Sequence, residues 1–296
     1  MKKLLFKLIR YSGLPFIFSS IIQRNKVTIL LFHDIDPKYA KKIFTYLSKN
    51  YNIIDLNYFI DAYYGEIKNE LPEKSLIITF DDGHSRNYEL LPILKELKIP
   101  ITIFLCSSIV NTKRQFWFKF KNKSLSVKTL KSKSNIERLK ELRRDGFEQH
   151  LEFESPQALD LNQINEMRTY VNFQSHTMFH PILPKCTLKE SDLELSSSKA
   201  ELELMLDKNI NTISYPNGDY SEREIALARK CGYKCGITVD YGFNSLNSDI
   251  FKLKRISVND TINLDELIVK ATGVWAFIKT LNGKVQGYGY TKIVEN

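Results

Sequence analysis

The chain has 296 residues, 43% hydrophobic and 26% charged, with 12 Gly and 9 Pro, which excludes a disordered or collagen-like polypeptide. Its 4 Cys (106, 186, 231 and 235) form no CxxC pair and have no regular spacing, so buried or incidental thiols are expected in place of a disulfide scaffold, a Cys231–Cys235 bridge being the alternative. The formal charge of +9 is unevenly spread: residues 1–26 carry six bases and no acid, and residues 111–150 carry twelve bases and four acids. What remains is mildly acidic, which argues against a nucleic-acid-binding core.

Residues 1–26 come first. Leu4, Leu5, Phe6, Leu8 and Ile9 are interrupted by Lys7 and Arg10, and no small-x-small cleavage site follows. A basic amphipathic segment over 1–25 that lies on an anionic membrane is one reading; a helix packed on the domain is the other. Secretion is less favoured, and a cytoplasmic location is expected, peripheral on the inner membrane face under the first of these readings. No apolar run reaches the ~18 residues of a membrane span.

From Lys26 onward, short apolar runs alternate with helical patterns. Val27–Phe32, Leu76–Phe80, Ile101–Leu105, Tyr170–Gln174, Asn211–Tyr215 and Cys235–Val239 are expected strands buried on both faces. Tyr88–Leu97 reads as a helix with Pro92 near its start. Thr187 with Glu190, and Ser221 with Glu224, are capping-box signatures ahead of helices over Leu188–Leu206 and up to Cys231, where Gly232 stops the second. The alternation predicts an α/β fold with parallel strands, open or closed into a barrel. The basic stretch 111–163 breaks the rhythm and reads as an inserted helical subdomain, either a lid over a substrate or a solvated charged face.

Two segments carry chemistry. Thr79-Phe80-Asp81-Asp82-Gly83 puts adjacent carboxylates at the end of a buried strand, where they are costly unless compensated. A solvated Asp-Asp-Gly turn is the plain alternative. His176-Thr177-Met178-Phe179-His180 follows another strand and holds two of only 5 histidines. On a helical turn the pair would share a face, a spacing suited to a divalent ion such as Zn²⁺. A surface pair is the alternative. Together, one carboxylate and two imidazoles make a three-ligand set that leaves a coordination position open.

These motifs resemble the polysaccharide deacetylases, carbohydrate-esterase family four, with the nodulation-type deacetylase domain. TFDDG is intact at 79–83; His176 to His180 match the HTxxH motif; Tyr215-Pro216-Asn217-Gly218 approximates the Pro-aromatic-Gly turn; and Phe32-His33 stands for the first-strand motif. The resemblance, over about 27–110 and 168–258, implies a deformed (β/α)7 barrel within a domain spanning 27–296. It also implies hydrolysis of a sugar acetyl group. Asp82, His176 and His180 would bind the metal, Zn first with Co, Ni or Fe as alternatives, and Asp81 would be the general base. A backbone N–H of the Tyr215–Gly218 turn is expected to serve the oxyanion. Pro216, Gly218, Arg255 and Asp240 are expected near the substrate, and His33 on the rim.

Two departures qualify the match. The arginine that precedes the Pro-aromatic-Gly turn and tethers the base is Ser214, which leaves Asp81 without an evident orienting group; the Tyr215 hydroxyl is the nearest candidate, and a packed aromatic the alternative. No histidine follows His180 to act as the late general acid, and the corresponding region carries Arg255, which stays protonated. Water, Asp81 after gaining a proton, or His33 would have to protonate the leaving amine. The expected substrate is an acetylated amino sugar of a bacterial surface glycan or its lipid-linked, glycolipid precursor. A weak sugar-binding relic and a deformylase or other amidase are the competing readings.

Overall fold

The computed structural model describes residues 2–281 other than 69, 122, 123, 261 and 262; the end of the expected 27–296 domain thus lies outside the described residues. Among the described residues, eight strands occur in chain order: β1 Val27–Phe32, β2 Asn52–Ile53, β3 Ser75–Phe80, β4 Ile101–Leu105, β5 Val171–Ser175, β6 Thr212–Ser214, β7 Cys235–Ile237 and β8 Ile256–Ser257. Every ladder between them is parallel. The order is β7-β6-β5-β4-β3-β1-β8, with β2 appended to β3. Every residue of β1, β3 and β4 is buried, as continuous apolar runs covered on both faces require.

The sheet curls far enough for its ends to approach. Ile237 bridges Leu253 in parallel, and the Thr238 N–H donates to the Leu253 carbonyl at 2.9 Å, so the segment entering β8 links β7 back toward β1. This is the expected deformed (β/α)7 barrel. Both capping boxes form, on Leu188–Leu206 and Glu222–Lys230, and Gly232 ends the second helix at φ 82°. The expected Tyr88–Leu97 helix is instead a 3₁₀ turn over Ser85–Leu90 followed by an α-helix over Leu91–Leu97. Pro92, which lacks an N–H, is tolerated only in that helix's first turn and so fixes where it begins.

Between β4 and β5 lie the helices Val127–Ser132 and Asn135–Arg144, with a separate apolar cluster of Trp117, Leu130, Leu142, Phe147 and Ile182. The N-terminal segment forms two helices, Lys2–Tyr11 and Leu14–Ile21, docked through Phe6 onto Val269 and Val274. All four cysteines are free.

Candidate metal centre and its cavity

β3 delivers the two carboxylates. The Asp81 N–H still donates to Phe32 O at 3.1 Å, prolonging the ladder; the chain then turns sharply, with Asp82 at φ 73° and Gly83 at φ 66°. β5 delivers the imidazoles, the His176 N–H donating to Leu105 O at 2.8 Å. Both ends lie at the C-terminal edge of the sheet, where α/β folds place their sites.

The His176–His180 segment is not the helical turn that the spacing predicts. It is an irregular loop with Thr177 at φ 66° and His180 at φ 58°. Left-handed backbone at a β-branched threonine is strained, and it lies beside a third non-glycine left-handed residue, Asp82. Buried hydrogen bonds hold the loop: the N–H groups of Met178 and Phe179 donate to Glu194 Oε2 at 2.8 and 3.1 Å, and the His180 N–H donates to Thr177 Oγ1 at 3.1 Å.

One oxygen of Asp82 faces both rings. Oδ1 is 3.5 Å from His176 Nε2 and 3.4 Å from His180 Nε2, and it is buried with no hydrogen-bond partner. Donor atoms of these three residues all lie within 4.8 Å of one another. A tetrahedral shell with bonds of ~2.0–2.1 Å requires donor–donor separations of about 3.3 Å, so the residues fit a small divalent ion. His176 Nδ1 donates to the Ser214 carbonyl at 2.8 Å; a carbonyl can only accept, so the neutral ring keeps its Nε2 lone pair toward Asp82. Burial, opposed by the Asp82 charge, pushes His180 down to about 3 and keeps it neutral. Burial works to raise Asp82, but the His84 hydrogen bond and the neighbouring imidazoles outweigh it and hold the carboxyl well below the usual range. Asp82 as an anion and His180 as a neutral imidazole are in the protonation states that bind metal, and the Nδ1 contact of His176 turns its Nε2 toward them.

Asp81 stands beside this cluster, its Oδ2 3.8 Å from His176 Nε2, and is held by a group the sequence did not reveal. Arg255 grips it with both arms, Nη1 to Oδ1 at 2.7 Å and Nη2 to Oδ2 at 2.8 Å. Ser214 Oγ adds contacts at 3.2 and 3.3 Å, and Arg255 Nε is anchored on Thr238 O at 2.8 Å. Burial acts to raise Asp81, yet Arg255 and His176 prevail and lower it, so it is ionised at neutral pH.

A cavity of about 780 Å³ opens over the cluster. His33, Asp81, Asp82, His176, His180 and Arg255 line it, so the first-strand histidine does reach the rim. Four expectations need correction. The Tyr215 hydroxyl donates to Phe251 O at 3.3 Å, away from Asp81, and burial raises its pKa well above the usual phenol value; it is a packed aromatic. Arg255 does line the cavity, but its guanidinium is wholly buried and engaged by Asp81 and Thr238 O, so it stabilises the Asp81 charge instead of reaching a substrate. Asp240 accepts from the Tyr220 hydroxyl at 2.6 Å and does not line the cavity. Pro216 and Gly218 shape the turn, but Asn217 between them lines the cavity. Gly218 is required there: at φ 76°, an added Cβ would lie 2.0 Å from Val239.

The inserted segment is part of the site, not merely a solvated charged face. Phe118 and Lys131 line the cavity, and Lys131 donates to Asn217 Oδ1. His84 links Asp82 Oδ2, at 3.1 Å, to Lys119 Nζ, at 3.0 Å. Trp117 packs under the site, with Nε1 donating to His180 O at 2.8 Å, and the Phe118 ring lies 4.7 Å from that of His180.

Glu194 was also not singled out from the sequence; only its helical spacing from the capping box could have flagged it. Replacement by Ala leaves the buried Phe179 N–H and the part-buried Met178 N–H without their acceptor and is expected to cost about 1–3 kcal/mol in urea unfolding, whereas Gln retains an acceptor oxygen and most of the stability. Burial raises Glu194 to about 7, so the folded form holds its proton longer than the unfolded chain. The Glu194 contribution to stability is therefore lost as pH rises from about 4.5 to 7, and the stability of Glu194→Gln relative to wild type should rise across that window.

Fold and site together define a barrel-derived α/β protein with a buried carboxylate–imidazole cluster on its rim. Within that class, the chain belongs to the polysaccharide deacetylase family, whose model matches residues 68–236. Relatives include YxkH of Bacillus subtilis, named as a polysaccharide deacetylase (26% identical, covering 63% of this chain and 52% of that protein). The poly-beta-1,6-N-acetyl-D-glucosamine N-deacetylase of Staphylococcus aureus is 27% identical over 67% of this chain and 59% of its own length. The chain thus matches little more than half the length of these relatives. Among solved structures, the Streptococcus pyogenes deacetylase PplD superposes with a TM-score of 0.62 (22% identity, 84% of this chain and 99% of that one). IcaB from Ammonifex degensii gives 0.61 (18% identity, 86% and 98%). Both share the fold.

Proposed function

We propose that this protein hydrolyses an acetyl group, N-linked in the first instance, from an amino sugar of a bacterial surface glycan, using one divalent ion held by Asp82, His176 and His180. The observation that carries this reading is a second carboxylate, Asp81, fixed and ionised beside the three-ligand cluster on the floor of a cavity of about 780 Å³. The N-deacetylase named among the relatives supports the acetylated amino sugar as substrate class.

When bound, a divalent ion there supplies Lewis acidity toward the acetyl carbonyl and lowers the pKa of a neighbouring water. Asp81 accepts the proton of the attacking water at a carboxylate oxygen. The Arg255 grip makes it a weaker base but fixes its geometry, and placement is worth more than basicity when the proton moves over one hydrogen bond. In the turn after β6, the Tyr215 and Gly218 N–H groups donate to Ile237 O and Tyr215 O, and Pro216 has none. We therefore assign the developing oxyanion to the Asn217 N–H. The leaving amine takes its proton from Asp81 after transfer or from His33, both on the cavity wall.

Arg255, immediately before β8, supplies the tether missing at Ser214, which removes one of the two reasons for reading the chain as an inactive relic. The test is acetate release from oligomers of β-1,6- and β-1,4-linked N-acetylglucosamine, with and without chelator. Turnover that is lost on chelation and restored by Zn²⁺ is expected; no acetate with either oligomer, or release indifferent to chelation, overturns the reading. Product mass separates deacetylation from deformylation.

A further inference from the structure

We propose that the N-terminal helix pair, with the Val274–Leu281 helix beside it, is a docking face for an anionic phospholipid bilayer, and that it seats the cavity mouth at that bilayer so that the glycan reached is lipid-anchored. The choice of substrate rests on the deacetylase reading; the docking does not.

The two helices divide their apolar residues between the protein and the outside. Phe6 is wholly buried on Val269 and Val274, with its ring 4.7 Å from Trp275, and Phe18 meets Phe277 at 5.3 Å. Arg10 is paired with Asp265. These contacts fix the pair to the body and leave a large apolar surface outward: Leu4, Leu8, Phe16 and Ile21 are 62%, 63%, 75% and 73% exposed. Patches of this kind on a folded protein mark a partner.

Charge selects which partner. Residues 1–26 hold six bases and no acid, and Lys3 and Lys7 are exposed among the outward apolar residues. Apolar side chains with interspersed lysines suit the interface of an anionic membrane. The geometry is in-plane. Among the described residues no single helix is long and apolar enough to cross a bilayer, and the pair meets that test only jointly, across a 61° bend.

Continuity with the cavity gives the face its purpose. The Val274–Leu281 helix presents Phe277 outward, 48% exposed, while its Trp275, Ala276 and Lys279 line the cavity above the metal ligands. A bilayer under the helix pair therefore borders the cavity mouth, and a sugar whose lipid anchor stays in that bilayer can enter from the rim.

The test is flotation of the full chain with vesicles of phosphatidylcholine alone or mixed with phosphatidylglycerol. Binding to the mixed vesicles, weakened by salt, is expected, and Leu8→Ser, Phe16→Ser and Ile21→Ser together should lower it by about tenfold or more while the far-ultraviolet spectrum is unchanged. Acyl-brominated lipid should quench tryptophan fluorescence, and Trp275→Phe should remove the quenching, because the other tryptophan, Trp117, is buried. The proposal is overturned if the chain stays in solution with every vesicle, if neutral and anionic vesicles bind alike, if the triple variant floats like wild type, or if Trp275 is not quenched. It is equally overturned if sedimentation shows the same residues holding two copies of this chain together. Neither readout involves turnover, so an inactive protein that docks and an active one that does not are told apart.

Discussion

Asp81→Asn is expected to lower kcat for acetate release by about 10³-fold while leaving bound metal unchanged. Asparagine keeps the shape and can still accept from Arg255, but it cannot take a proton from water. The three ligand residues are untouched, since Asp81 Oδ2 lies 3.8 Å from His176 Nε2 whereas Asp82 Oδ1 is the oxygen at 3.5 and 3.4 Å from the two rings. Steady-state kinetics beside metal analysis checks this. A proportional loss of metal and activity would make Asp81 a ligand rather than a base.

Arg255→Leu carries the largest expected stability effect. Its guanidinium is wholly buried and makes two short bonds to a buried carboxylate. Removing it strands that charge, at a cost of about 3–5 kcal/mol. With arginine present, the depressed Asp81 pKa contributes stability above the unfolded value that is lost as pH falls through the folded one. Without arginine, burial is opposed only by His176 and the lesser influence of His33, so the Asp81 pKa moves up. The stability deficit of Arg255→Leu should therefore be greater at neutral pH than near about pH 4 in urea unfolding. Arg255→Lys keeps a charge but loses the fork, so it should fold better than the leucine variant yet show reduced kcat with little change in KM. A leucine variant as stable as wild type at neutral pH would show that Asp81 does not depend on this partner.

The fold was legible in the sequence wherever burial is two-sided and local. The runs VTILLF and ITIFL read directly as strands, and the two capping boxes located their helices, because a cap is a contact over three residues. The candidate metal ligands are legible as residue types in motifs, but not in conformation: helical spacing suggests a shared face for His176 and His180, while the actual loop depends on Glu194, a side chain on the following helix. The Asp81 tether was not legible at all. Arg255 and Ser214 lie 174 and 133 residues from Asp81, on opposite sides of it along the sheet, and meet it only because the sheet curls. No one-dimensional pattern encodes that closure. Tyr215 was misplaced for the same reason: proximity in sequence to the expected arginine position suggested a role that the direction of its hydroxyl rules out. The basic insert looked like a solvated face by composition, yet Lys119 and Lys131 turn inward to His84 and Asn217.

The most direct test is metal stoichiometry after zinc loading and exhaustive dialysis of the full chain, wild type beside His176→Ala and His180→Ala. One equivalent of zinc in the wild type and in Asp81→Asn, with less than about a tenth in either histidine variant, is the predicted result. A wild type that retains no metal, or histidine variants that retain as much as it does, would contradict the account.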